Sequence, residues 1–172
     1  MWIRRLVILL AVLATMTPVL HHVVNGTVPG QDAGPVDGIH SVFYYEVFAE
    51  RLRGHGSFGR IDEMWFPLGR SLLLAQQNIV DALLAAPLLL LFGAARGTAL
   101  FVALTLGSNA LAGAWLAGRV TDNTASRLCG ALALGFAPYL WDEVEFGRYT
   151  QAWLAPTAVA VGLALQAART GG

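Results

Sequence analysis

The 172 residues are 56% hydrophobic and 13% charged, with a mean hydropathy of +0.58, whereas a soluble domain carries about a quarter charged residues; the apolar excess argues for a membrane protein. Eleven arginines balance eleven Asp and Glu for a formal net charge of zero, so composition offers neither a basic nucleic-acid surface nor an acidic tail. The single cysteine, Cys129, excludes an intrachain disulfide and a cysteine-built metal cluster, and reads as a small buried hydrophobe. The absence of lysine fits a GC-rich bacterial genome.

In chain order, Arg4 and Arg5 precede an apolar run that extends past Pro18 to Val24. Either a cleaved signal peptide or an uncleaved anchor has this form. The run outlasts the usual cleavage position and has no small-x-small site before Asn25, which favours an anchor over 1–24 with its N-terminus in the cytoplasm.

Residues 25–70 turn to Gly, Pro, aromatic and charged residues and read as an extracytoplasmic loop. Breakers between Val28 and Gly38 predict an irregular opening. Ile39 to Arg53 lacks Gly and Pro and mixes Phe43, Val47, Phe48 and Leu52 with Glu46, Glu50 and Arg53, the pattern of a surface amphipathic helix. Phe66-Pro67-Leu68-Gly69 reads as a tight turn.

Residues 71–172 form the expected helical membrane bundle, with apolar segments at 82–95, 97–118, 128–141 and 152–168. The first holds Pro87 and follows Asp81, and suits a short re-entrant or interfacial element rather than a crossing. If it does not cross, Arg4, Arg5, Arg119, Arg127 and Arg169 share the cytoplasm and only Arg96 and Arg148 occupy short external turns. The positive-inside rule prefers this arrangement. The fold class is therefore an all-α integral membrane protein with about four transmembrane helices, multi-pass in the bacterial cytoplasmic (inner) membrane. Asn109 and Asp81 read as interhelical hydrogen-bonding groups, and Gly107, Ala110, Ala114 and Gly118 as a close-packing face.

In this topology the turn from Trp141 to Gln151 emerges beside the long loop, and two polar segments can form one site. Asp37 opens the aromatic helix: it is either a helix cap or, near the interface, a general base toward a hydroxyl. Asp142, Glu143 and Glu145 crowd beside Arg148. They form a solvated turn, bind a divalent cation, or hold Arg148 for a phosphate. Trp141, Tyr149, Gln151 and Trp153 supply an interfacial belt. His40 and His55 lie on the same side and are further metal-ligand candidates.

The order of these pieces resembles the N-terminal part of a GT-C-type membrane glycosyltransferase, the superfamily of protein mannosyltransferases and aminoarabinose transferases. An anchor helix is followed by Asp37, an aromatic helix ending in Leu52-Arg53-Gly54, the Phe66–Gly69 turn, Gly135-Phe136-Ala137-Pro138, then Glu145-Phe146-Gly147-Arg148 and Trp153 to Pro156. The resemblance implies inverting transfer of a sugar from a polyisoprenyl-phosphate donor on the extracytoplasmic side. Asp37 would be the base and Arg148 the phosphate contact, with Glu145, Tyr149 and Gln151 beside the substrate. Glu143 would lie near a divalent cation, Mg or Mn. The partners implied are the lipid bilayer, the lipid-linked sugar and further membrane helices from a second polypeptide, because such enzymes carry many more helices. Family members often pair acids in the first loop, whereas Gly38 follows Asp37 here, and the chain is expected to be a module or fragment. Two other readings stand beside this one: a non-catalytic membrane subunit recognised through Phe43, Val47 and Phe48, and a transporter fragment.

Overall fold

The computed structural model describes residues 2–30, 36–61, 70–71 and 79–170. The Phe66–Gly69 turn and most of the irregular opening before Val36 lie outside the described residues. The fold is mostly helical: α1 (Trp2–Asn25), α2 (Val36–Leu52), α3 (Ile79–Phe92), α4 (Ala94–Val120), α5 (Thr124–Gly135), α6 (Pro138–Glu145) and α7 (Ala155–Thr170). A two-residue antiparallel pairing, β1 (Arg60–Ile61) with β2 (Arg70–Ser71), interrupts the all-helical pattern.

Helix α4 is the axis. At 27 residues it is roughly 40 Å long, and α1, α3, α5 and α7 all pack on it. Its small residues let them come close. Leu89 backbone lies 2.6 Å from where a Cβ on Gly97 would sit, Met16 Sδ lies 2.9 Å from that of Gly107, and a Cβ on Gly113 would fall on the carbonyl oxygen of Gly130. Ala110 and Ala114 join Ala11, Val12 and Ala131 in one buried cluster, so the small-residue face is a packing face.

These contacts also set direction. Gly26 meets Arg96 and Met16 meets Gly107, so α1 runs antiparallel to α4; Arg127 meets Gly118 and Gly135 meets Ala110, so α5 does too. Helix α7 starts at the depth of Asn109 and ends where Arg169 donates to the Arg119 carbonyl. The N-terminus of α1, the α4–α5 turn and the end of α7 thus share one end of the bundle. Arg5, Arg119, Arg127 and Arg169 lie at that end.

Among the described residues two helices, α1 and α4, are long and apolar enough to cross a membrane. They differ in their surroundings: 67% of the apolar window of α4 is buried inside the protein against 22% of that in α1. Segment 128–141 is not one helix. It breaks after Gly135, because Ala137 before Pro138 is extended (ψ 131°) and Pro138 opens α6 from its first turn. Helices α5 and α7, at 12 and 16 residues, fall short of the ~20 residues of a straight crossing, so four continuous spans are not found. Segment 82–95 is a 14-residue helix, α3, ended by Gly93 at φ 79°. Cys129 faces outward from α5 rather than into the core.

The amphipathic segment does form a helix, α2, but it is not free on a surface. Tyr44, Tyr45, Val47 and Phe48 are buried and the helix packs on α3 and α4. Val47 and Phe48 are therefore core residues, unavailable to a partner.

Candidate functional site

At the end of the bundle opposite the arginines, the loop after α6 folds over the start of α2. Gly147 (φ +72°) makes this possible, since a Cβ there would fall on the backbone of Gly38. Ser41 Oγ then donates to the Gly147 carbonyl at 2.9 Å. Gly30 (φ +77°) packs against the backbone of Val144 and Glu145 in the same way. Tyr149, fully buried, donates its hydroxyl to the Pro29 carbonyl at 2.6 Å. Three segments far apart in sequence, ending α1, opening α2 and following α6, are thereby stitched together.

The two polar motifs expected to meet do meet. Asp37 sits exposed in the first turn of α2, next to the Gly38–Gly147 contact. Glu143 is buried on α6, with Oε2 2.8 Å from Arg148 Nε. That nitrogen's N–H does not point at the carboxylate, so the contact is an ion pair rather than an aligned hydrogen bond. The Arg148 side chain is about one-third exposed, and its guanidinium lies over the Phe146 ring at 5.0 Å. Glu143 thus holds Arg148 from below while its outer edge faces solvent.

The remaining expected residues divide. Glu145 is exposed and borders a groove of about 220 Å³ between Pro18, His22, Pro29 and Trp141. Gln151 is exposed, its backbone N–H closing a turn onto the Arg148 carbonyl. Tyr149 is a latch rather than a substrate contact, because its hydroxyl is spent on Pro29 and its ring is inside. Burial pushes that hydroxyl well above the usual tyrosine range. His40 is exposed and His55 is bound to Glu50 at 2.7 Å.

Two residues matter more than their sequence context implied. Asp81, at the start of α3, is 2% exposed; burial pushes its carboxyl up despite a hydrogen bond from Thr150, and Oδ2 has no partner. It lies behind the Arg148–Gln151 segment. Asn109, inside α4, donates to the Ala152 carbonyl (2.7 Å) and accepts from the N–H groups of Leu154 and Ala155 (2.9 and 2.8 Å). It caps α7 from another helix and pins the site loop to the middle of α4. A lone Asn inside one apolar run and a lone Asp just before another were the available signals, and they gave no partner.

Among the described residues no three His, Cys, Asp or Glu side chains converge on one point, and Glu143 is engaged by Arg148. No family model, curated protein or solved structure matches the chain.

Proposed function

We propose that the chain is the N-terminal module of a membrane glycosyltransferase that uses a polyisoprenyl-phosphate sugar on the extracytoplasmic side. The observation that supports this reading is the Gly38–Gly147 contact, which brings the backbone next to Asp37 against that next to Arg148. In the proposed reaction an acceptor hydroxyl oxygen attacks the anomeric carbon as its proton passes to the Asp37 carboxylate. The bond from that carbon to the phosphate oxygen breaks, and Arg148 stabilises the departing polyisoprenyl phosphate. The exposed Asp37 has room for the acceptor hydroxyl that gives up its proton to approach, and the anchored Arg148 presents donors without a large ordering cost.

The membrane arrangement that goes with this reading has four passes with the N-terminus in the cytoplasm of a bacterial inner membrane. Helices α1 and α4 cross directly; α5 with α6, and the Ala152–Leu154 segment with α7, cross in two pieces. Asn109 supports the second broken pass, because backbone polar groups at membrane depth must be satisfied internally. The arginines gathered at one end support the orientation.

Two experiments test the reading. With single cysteines at Ser57, Thr124 and Gln151 in a Cys129→Ala background, labelling of intact cells is expected at the first and third only; labelling at Thr124 instead of Gln151 overturns it. In the full-length or reassembled enzyme, Asp37→Asn is expected to lower turnover by about 10²-fold or more, and unchanged turnover removes Asp37 as base. A second reading, a non-catalytic subunit, draws on the exposed Val159, Val161 and Leu163 of α7. It expects wild-type behaviour from Asp37→Asn and loss of a partner when α7 is made polar.

A further inference from the structure

The arginine end of the bundle is more than an orientation signal. Three of its guanidinium groups come from three different helices and converge on the last turn of α4. Arg127 of α5 lies against Gly118, with Cζ 2.8 Å from where a Cβ would sit. Arg169 of α7 donates to the Arg119 carbonyl. Arg119 itself stacks on Trp115, with Cζ 4.5 Å from the ring. Asp122 is the one acid among the described residues at this end, and it pairs with Arg127 at 3.2 Å.

A guanidinium carries five N–H donors, so these contacts leave most of them unspent. One donation to a helix-terminal carbonyl accounts for Arg169 as a cap, but not for three arginines around a single turn. The surface directly beneath them is apolar. One turn before Arg169 the exposed Leu165 faces outward from α7, and Leu9 and Leu10 do so on α1. Clustered cations capping an exposed apolar wall match a ligand with an anionic head and hydrocarbon chains.

We propose that this end binds the headgroup of an anionic phospholipid. Arg119, Arg127 and Arg169 hold its phosphodiester, Trp115 marks the interface, and the acyl chains lie along α7. An acidic protein partner would match the charges but would leave the leucine wall unused. The proposal rests on the reading of the chain as a membrane protein, and the test separates the two.

The full chain is reconstituted into vesicles of phosphatidylcholine, alone or mixed with phosphatidylglycerol, and lipid retention is counted by native mass spectrometry after extraction. Phosphatidylglycerol is expected to be retained over phosphatidylcholine. The triple variant R119Q/R127Q/R169Q is expected to lower that preference by roughly a hundredfold, each arginine near an anionic surface contributing about fivefold. The lysine triple variant, which keeps the charge, retains part of it and shows that the fold survives. The double variant R53Q/R60Q, at the opposite end, leaves it unchanged. A chain that enters phosphatidylcholine vesicles but shows no preference overturns this proposal alone, as does an equal loss in R53Q/R60Q. A chain that stays in the aqueous phase overturns the membrane reading and this proposal with it.

Discussion

The two ends of the bundle are held by different physics. At the Arg119 end, helices lie directly on one another through small residues: Gly113 and Gly130 meet backbone to backbone, Gly107 takes the Met16 side chain and Gly118 that of Arg127, with few polar bonds between helices. At the Asp37 end, loops are fastened to helix ends by Tyr149 on Pro29, Ser41 on Gly147, Glu143 beside Arg148 and Asn109 on three backbone groups. The first construction depends on shape and the second on individual polar atoms. Steric substitutions should therefore break one end, and isosteric polar changes the other.

The largest effect is expected where shape decides. Gly113→Leu drives a side chain into the Gly130 backbone, which cannot move aside, and should cost about 3 kcal/mol or more, read as a fall in thermal midpoint in detergent. A wild-type midpoint would mean that α4 and α5 are not in close contact. Asn109→Ala comes next. It leaves the Leu154 and Ala155 N–H groups and the Ala152 carbonyl unpaired, and should cost about 2–3 kcal/mol. Hydrogen exchange rising in 150–156 but not in α5 would confine the damage to the loop-built end; uniform exchange would erase the distinction between the ends.

A smaller change isolates a single atom. Tyr149→Phe keeps the ring and strands the Pro29 carbonyl, for a loss of about 1 kcal/mol and freer proteolysis around residues 26–30. The smallest effect has the opposite sign. Because the Asp81 carboxyl is held above its ordinary value of 3.8 by burial, the folded state takes up a proton that the unfolded state releases. The contribution of Asp81 to stability should then be fully present below 3.8 and be lost as pH rises through the raised value. Asp81→Asn should flatten that profile and raise stability near neutrality. A variant whose profile parallels wild type would show that Asp81 does not titrate with folding.

Much of the fold was legible in the order of residues, for local reasons. Helices α1, α2 and α4 follow from long apolar or amphipathic stretches, and the approach of the Trp141–Gln151 turn to the start of α2 is what counting arginines on the two sides led one to expect. The break at Pro138 was visible as Gly135-Phe136-Ala137-Pro138, but hydropathy averages over it and lengthened the segment into a crossing. Helix α2 read as a surface element because its apolar residues alone do not reveal that α3 covers them. Tyr149 looked like an interfacial contact; nothing near it in sequence says that its hydroxyl reaches a carbonyl 120 positions away.

What the sequence determined by itself is what depends on neighbours along the chain: apolar lengths, helix stops, the absence of disulfide chemistry, and the sorting of arginines between ends. The tertiary structure alone decided which polar atoms are spent and which remain available. Glu143 became an anchor, Tyr149 a latch and Asn109 a cap, while Asp81 kept an unpartnered oxygen. The physical reason is that a hydrogen bond or a buried charge is settled by distances of about 3 Å, and only packing brings residues from opposite ends of the chain that close.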